Sequence, residues 1–273
     1  MTLKSLSLSL FTCALLLASV TVRANDEDPQ EQLTRAAATE NSSGWIFGAG
    51  LAFTNPGYVG YDHQVTPLPL VFYHNGRFFF AGLGAGYVLA GDSHVRLSLL
   101  VRPEINRLRA SDSPQLTGIQ TREWSIDGGV NLDVFEAWGN FNAGLFHDLL
   151  DRNNGMQAAV GYKYPLHLGS WTLAPGLGLS WDNGNFTNYY YGVSQAEAIP
   201  GRPAYDPGSA TNPYVSLGLS TSISDDWQFR SEVRYMRFGS VIHDSPIVDR
   251  SGSPTVFIGF IYNPDKESRH DAP

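Results

Sequence analysis

The chain holds a single cysteine, Cys13, so no disulfide framework can brace the fold. Beyond residue 24 there is no run of about 20 apolar residues, the length a spanning helix needs, and the remainder is not a helical membrane protein. Charged residues make up only 16% of the chain, and acidic ones outnumber basic ones 26 to 18. Phosphate recognition needs a basic stripe, and none is present, which removes nucleic acid as a partner. Gly-x-Ser-x-Gly is absent, as is any metal-ligand spacing, so neither the hydrolase elbow nor a bound metal cofactor is expected.

What is present is alternation. Over residues 123–134, Trp124, Ile126, Val130, Leu132 and Val134 alternate with Ser125, Asp127, Gly129, Asn131 and Asp133. Strand side chains point alternately to opposite sides, so this is a strand with one apolar and one polar face. A slip of one residue would exchange the apolar set with the carboxylates, which fixes the register. The same design recurs along most of the chain.

Residues 1–24 carry Lys4, an apolar run from Leu6 to Val20 and a small-residue ending at Ala24, the pattern of a secretory signal peptide. Removing Lys4 and Arg23 leaves 16 basic against 26 acidic residues, a formal charge of −10. Residues 25–43, with Asp26, Glu27, Asp28, Glu31 and Glu40, read as a flexible acidic periplasmic leader. A barrel domain is expected over residues 44–262, and a polar disordered tail over 263–273.

Within the barrel, strands are expected at 44–54, 65–73, 78–90, from 95 to about 104, and at 123–134. Further strands follow at 140–148, 156–164, 170–182, 214–223, 227–238 and 255–262. Asn75-Gly76 is a tight-turn signal, and Pro67 and Pro69 remove two ladder donors from the second strand. Gly82, Gly84 and Gly86 leave one face of 78–90 nearly bare, so something bulky should pack there. The count is eleven or twelve, depending on whether residues 186–191 form a strand. An even number is needed if both ends lie in the periplasm, so twelve is expected and ten is the alternative. Twelve places the polar loop 109–121 on the periplasmic side, where turns are normally short.

A soluble sandwich would also alternate. The polar face here, however, is built of Gly, Ser, Asn and mixed charges, and the apolar face ends in Trp and Tyr, the girdle pattern of a lipid-facing wall. The expected fold is therefore all-β: one antiparallel transmembrane barrel in contact with outer-membrane lipid. Arg96, Arg102, Glu104, Asp127, Asp133, Lys163, Arg230, Glu232 and Arg234 fall on the lumenal face. In a barrel of this size, side chains fill the interior, and such charges either pair structurally or line a narrow solute path.

His147-Asp148 looks like a catalytic dyad, but adjacent strand residues face opposite sides. Asp62-His63 and His243-Asp244 sit in loops without a nucleophile at fixed spacing. No catalytic residue is assigned. The long stretch 183–212 and the loop 239–254 are candidates for a function outside the membrane. Exposed tyrosines there would suit a protein or glycan surface; equally, they would fold over the barrel mouth.

Tyr189-Tyr190-Tyr191-Gly192-Val193-Ser194 with Glu197, Pro203-Ala204-Tyr205, and Asp244-Ser245-Pro246-Ile247-Val248 resemble the MltA-interacting protein/OmpV family of Gram-negative outer-membrane proteins. The likeness spans about residues 44–262. It implies a non-enzymatic barrel: a scaffold or adaptor joining a murein hydrolase, the lytic transglycosylase, to a peptidoglycan synthase, or an adhesin. A narrow channel is the alternative reading, and an outer-membrane hydrolase ranks below both. No cofactor comes with the family. Members tend to close with a terminal Tyr-x-Phe strand that the barrel-assembly machinery reads. This chain instead has Tyr262-Asn263-Pro264 and nine further residues, with Phe260 and Tyr262 as the alternating aromatics.

Overall fold

The computed structural model describes residues 44–263, so the expected signal peptide, acidic leader and tail lie outside the described residues. The strands begin with β1 (Gly44–Thr54), β2 (Gln64–Asn75), β3 (Phe78–Gly82), β4 (Gly84–Gly91) and β5 (Val95–Glu104). They continue with β6 (Ser125–Glu136), β7 (Gly139–Asp148), β8 (Met156–Lys163), β9 (Leu166–Leu168) and β10 (Trp171–Asp182). The last three are β11 (Ala210–Ser222), β12 (Trp227–Arg237) and β13 (Gly252–Tyr262).

Every ladder is antiparallel, and β13 pairs back onto β1 from Phe47↔Tyr262 to Thr54↔Thr255, which closes the sheet. The stub β9 continues the line of β8 along β10, past Tyr164 and Pro165. The wall therefore has twelve strands, as the sequence led us to expect.

Two elements differ from the sequence reading, and they compensate. Residues 78–90 are a hairpin rather than one strand, because Gly82 takes φ +66 and Ala81 pairs with Gly84 across a two-residue turn. Residues 186–191 belong to a helix, α1 (Gly184–Tyr191), whose first turn is capped by the Asn183 side chain accepting from the Phe186 N–H. The extra strand precedes the connection at residues 105–124 and turns it to the same end as the other long loops. The short turns at 76–77, 92–94, 137–138, 169–170 and 223–226 all lie at the opposite end. Outer-membrane barrels keep their short turns in the periplasm, so the long loops face outward.

The outer wall is exposed Leu and Val, among them Leu99, Val130, Leu145, Leu177, Val215 and Leu217. At the periplasmic rim Trp45 stacks on Tyr73 with centroids 4.2 Å apart, Trp138 on Tyr162 at 6.1 Å, and Trp227 leans on Tyr262 at 5.1 Å. Inside, glycines make room for rings. A Cβ on Gly86 would meet the Phe79 ring at 2.2 Å, so Phe79 supplies the bulk expected over the bare face.

In β6 the even positions Ile126, Val130 and Leu132 face outward, and Ser125, Asp127, Asn131 and Asp133 face inward. A basic residue at mid-membrane on the lipid face costs about 2–4 kcal/mol. Val130→Arg should therefore impair assembly, seen as loss of heat-modifiable migration and of outer-membrane yield, while Asn131→Arg should impair it much less. Equal yields, or a worse second variant, would place the register one residue off.

Candidate functional site

Two structures occupy the interior and outer mouth of the barrel: a charged lumen and a folded cap. In the lumen the nine charges named from the sequence all lie on the inward face of their strands. Arg96 donates to Asp133 at 2.7 Å across neighbouring strands. Arg102 lies 3.8 Å over the Phe146 ring, donates to Gln157 at 3.0 Å and stands 3.6 Å from Asp127. Lys163 on β8 reaches past β10 and β11 to Glu232 on β12, which Arg234 also contacts at 3.1 Å. Arg230 donates to Gln228 at 3.1 Å, and Glu104 accepts from the Asn106 N–H at 3.0 Å.

The opposite wall is apolar. Ile46, Leu70, Phe72 and Ile261 form a buried cluster with Leu68, Ala81 and Phe257 packed against it. Between the two walls lies a cavity of about 900 Å³. It touches Arg96, Arg102 and Arg234 on one side, Ala52, Leu68 and Phe257 on the other, and Phe186, Tyr191, Phe238 and Ile242 above.

Those last residues belong to the cap, where four of the outer loops share a hydrophobic core. Tyr58, Leu108, Leu116, Tyr190, Tyr191, Ile242 and Ile247 are its buried members. A helix as short as α1 does not hold in water alone, and here it is kept by burying Phe186, Tyr190 and Tyr191. Burial pushes the phenols of Tyr58, Tyr190 and Tyr191 well up, so they stay neutral.

The motif residues chosen from the sequence fall mostly within this core. Gly192 ends α1, and a Cβ there would meet the Asn188 carbonyl oxygen at 2.4 Å. Val193 pairs with Tyr205, whose hydroxyl donates to the Val241 carbonyl at 2.9 Å. Ser245 Oγ donates to the Tyr191 carbonyl at 2.6 Å. Tyr189 is partly buried, with its hydroxyl accepting from the Glu123 N–H at 3.0 Å, and the Ser194 N–H donates to Glu197 at 2.9 Å. Asp244 is exposed, 3.0 Å from His243, and Pro246 is half-buried.

Polar pins hold the cap together, and of them sequence reasoning named Glu197, within the family motif, but neither Arg122 nor Arg202. Arg122 donates to both carboxylate oxygens of Glu197 at 2.9 and 3.0 Å, with both side chains buried. Burial alone would raise the Glu197 carboxyl. Hydrogen bonds from the N–H groups of Ser194 and Gln120, together with the Arg122 charge, outweigh it and hold the carboxyl below the usual range. Arg202 donates to the carbonyls of Gln115 at 3.1 Å, Thr117 at 3.0 Å and Glu197 at 2.9 Å, tying two loops. Single charged residues far apart in loops carry no spacing signal.

His147 Nδ1 bonds the Gly155 carbonyl oxygen, while Asp148, on the other face, accepts from the N–H groups of Leu150, Asn153 and Asn154. Among the described residues, no group of three His, Cys, Asp or Glu is placed to hold a metal ion.

The model of the family "MltA-interacting protein MipA" matches residues 47–263, essentially the whole described barrel. The chain belongs to the MipA family. It is 31% identical over 232 residues to the MltA-interacting protein of Escherichia coli K12, covering 84% of this chain and 94% of that protein. It is 28% identical over 225 residues to the putative outer membrane protein YiaT of the same strain, covering 81% and 92%. With OmpV of Vibrio cholerae it shares 34% identity over 132 residues, 48% of this chain and 51% of that one. The chain is accordingly an outer-membrane β-barrel of a Gram-negative bacterium.

The cap yields a pH prediction for this MipA-family barrel. Glu197 titrates lower in the folded cap than its ordinary value of 4.5. Its stabilisation is therefore fully present above that value and is lost as the pH falls through the lower folded one. Breaking a buried pair by removing one partner costs about 3–5 kcal/mol. Glu197→Gln should thus expose residues 183–209 to added protease at neutral pH, and acid should do the same to the unaltered protein while the barrel stays intact. Equal protection of the variant and the parent at neutral pH would deny the pair this role.

Proposed function

We propose that the barrel is an outer-membrane anchor and adaptor for peptidoglycan-remodelling enzymes, a lytic transglycosylase together with a peptidoglycan synthase. The reading rests on kinship over nearly the full length of a protein named for its interaction with MltA. A structural observation supports this reading. β1 starts and β13 ends at the periplasmic rim, where Phe47 pairs with Tyr262, so both flanking stretches leave the barrel on the side where murein lies. The stretch before β1 is acidic, with Asp26, Glu27, Asp28, Glu31 and Glu40, and offers a basic partner surface a charge to meet. In this reading the Tyr189–Tyr191 segment and Asp244-Ser245-Pro246 serve the cap at the other end, and contact there belongs to an extracellular partner or an adhesive role.

The lumen supports a second reading. A cavity of about 900 Å³ bordered by Arg96, Arg102 and Arg234 is what a narrow channel for small solutes would contain. One pair of experiments separates the two. Pull-down with the detergent-solubilised full chain should retain a murein hydrolase or synthase, and deleting residues 25–43 should reduce the yield. Retention of neither enzyme removes the adaptor role. Planar-bilayer recording should be silent for an adaptor, whereas discrete openings altered by Arg230→Glu would favour the channel.

A further inference from the structure

The twelve-stranded wall is not of even height. The β3–β4 hairpin starts at the periplasmic rim and turns at Gly82-Leu83, opposite Val71 of β2. On that side of β2 residues 64–70 have no ladder partner, and on the facing side of β5 the ladder to β4 ends at Ala85↔Val101. A notch therefore runs between β2 and β5 through the outer half of the wall. Two strands are missing from it, so the flanking backbones stand about 14 Å apart at the hairpin tip, at ~4.8 Å per strand spacing.

Unpaired backbone groups facing lipid cost several kcal/mol each, and the chain has removed the donors at this place. Asn75↔Phe78 closes the β2–β3 turn, so the odd residues of β2 turn their N–H groups toward β3 and, higher up, toward the notch. Two of the three such positions above Val71 are Pro67 and Pro69. On β5, Asp92 N–H bonds the Val95 carbonyl, which sets the odd residues toward β4; the odd position beyond Val101 is Pro103. Three prolines on two strands thus line the same opening.

The cavity reaches this opening. Leu68 on the inward face of β2 and Pro103, on the outward set of β5, both border it. Along the barrel axis the way out is roofed by Phe186, Tyr191, Phe238 and Ile242. The apolar members of the rim are Leu68, Leu70 under the hairpin tip, Leu83 and Pro103; beside Pro103, Arg102 turns its guanidinium away over the Phe146 ring and to Gln157, and Glu104 accepts from the Asn106 N–H.

We propose that this notch is a lateral entrance through which small uncharged apolar molecules dissolved in the outer leaflet reach the lumenal cavity. With no N–H at residues 67, 69 and 103 the rim lacks three backbone donors, so an apolar solute meets fewer hydrogen-bonding groups there than at an ordinary open strand edge. On the β2 side the inner wall, with Leu68 and Phe257 packed on the buried cluster, is apolar as well.

The test reports on Ala52, a buried residue that borders the cavity from β1. With Cys13 replaced, the full-length protein carrying Ala52→Cys is labelled with bimane, placed in nanodiscs and exposed to iodobenzene, a lipid-soluble quencher. A second sample carries in addition a hairpin lengthened by six alternating Val and Thr residues between Gly82 and Leu83, which fills the notch. Leu217→Cys, labelled on the lipid face, is the reference. Iodobenzene should quench the Ala52 label nearly as well as the Leu217 label, and the lengthened hairpin should lower Ala52 quenching several-fold while leaving Leu217 unchanged. Should the insertion fail the heat-modifiability check, Leu70→Trp, which narrows the notch without altering the hairpin, is read in the same way. Absence of quenching at Ala52, or quenching that survives a properly folded closure, overturns the proposal.

Discussion

The hydrocarbon core of a bilayer has no water to satisfy a backbone N–H or C=O, and the rest of this structure depends on that constraint. It forces closure, which β1 and β13 achieve over eight paired positions from Phe47↔Tyr262 to Thr54↔Thr255. It also explains where the prolines stand. Pro175 turns its carbonyl toward the Tyr164 N–H, at the point where β8 breaks into β9. Pro67, Pro69 and Pro103 border the stretch where β3 and β4 do not reach. Proline is tolerated where its missing donor would have faced no partner. Within the wall these residues mark the interruptions of the ladder.

Closure by twelve strands sets a lumen that backbone alone does not fill, and the chain fills it with rings laid over glycines. Phe79 lies over Gly86, Phe257 over Gly50 and Gly259, and Tyr214 over Gly178. A methyl group at any of these glycines would sit within 3 Å of a ring atom. The close approach gains dispersion contacts and narrows the lumen around the cavity of about 900 Å³. Glycine enrichment is thus a packing device here, since Gly50, Gly86, Gly178 and Gly259 have no positive φ.

Most of the wall was legible because two-residue periodicity survives in every long strand, with Trp and Tyr at the ends and charge on one face. The hairpin at residues 78–90 was not, for a definite reason. A two-residue turn centred on Gly82-Leu83 sits between small and large residues that still alternate on both sides, so a composition pattern reads straight through it. The helix at residues 184–191 escaped because eight residues with three tyrosines have no strong helical period; its stability comes from loops distant in sequence. The Arg122–Glu197 pair, 75 residues apart, is invisible for the same reason. Lumenal charges could be named because they follow from strand parity. Their partners could not, since the Lys163–Glu232 contact depends on the curvature that brings β8 and β12 together past β10 and β11.

Those charges bear on where function should be sought. Buried ion pairs add little net stability compared with apolar residues of the same shape, but they penalise a wrong register heavily. A slip of β5 by one residue would turn Arg96, Arg102 and Glu104 to the lipid, at about 2–4 kcal/mol for each basic residue near the midplane. Arg96 with Asp133 and Lys163 with Glu232 would be explained by assembly alone, even in a barrel with no task. The cap and the shortened hairpin are different. Neither closes the sheet nor fixes its register, and a full-length β3–β4 pair would satisfy the bilayer better than a notch edged with prolines. Features that the fold does not need, and that cost it ladder hydrogen bonds, are the ones for which a functional cause is required.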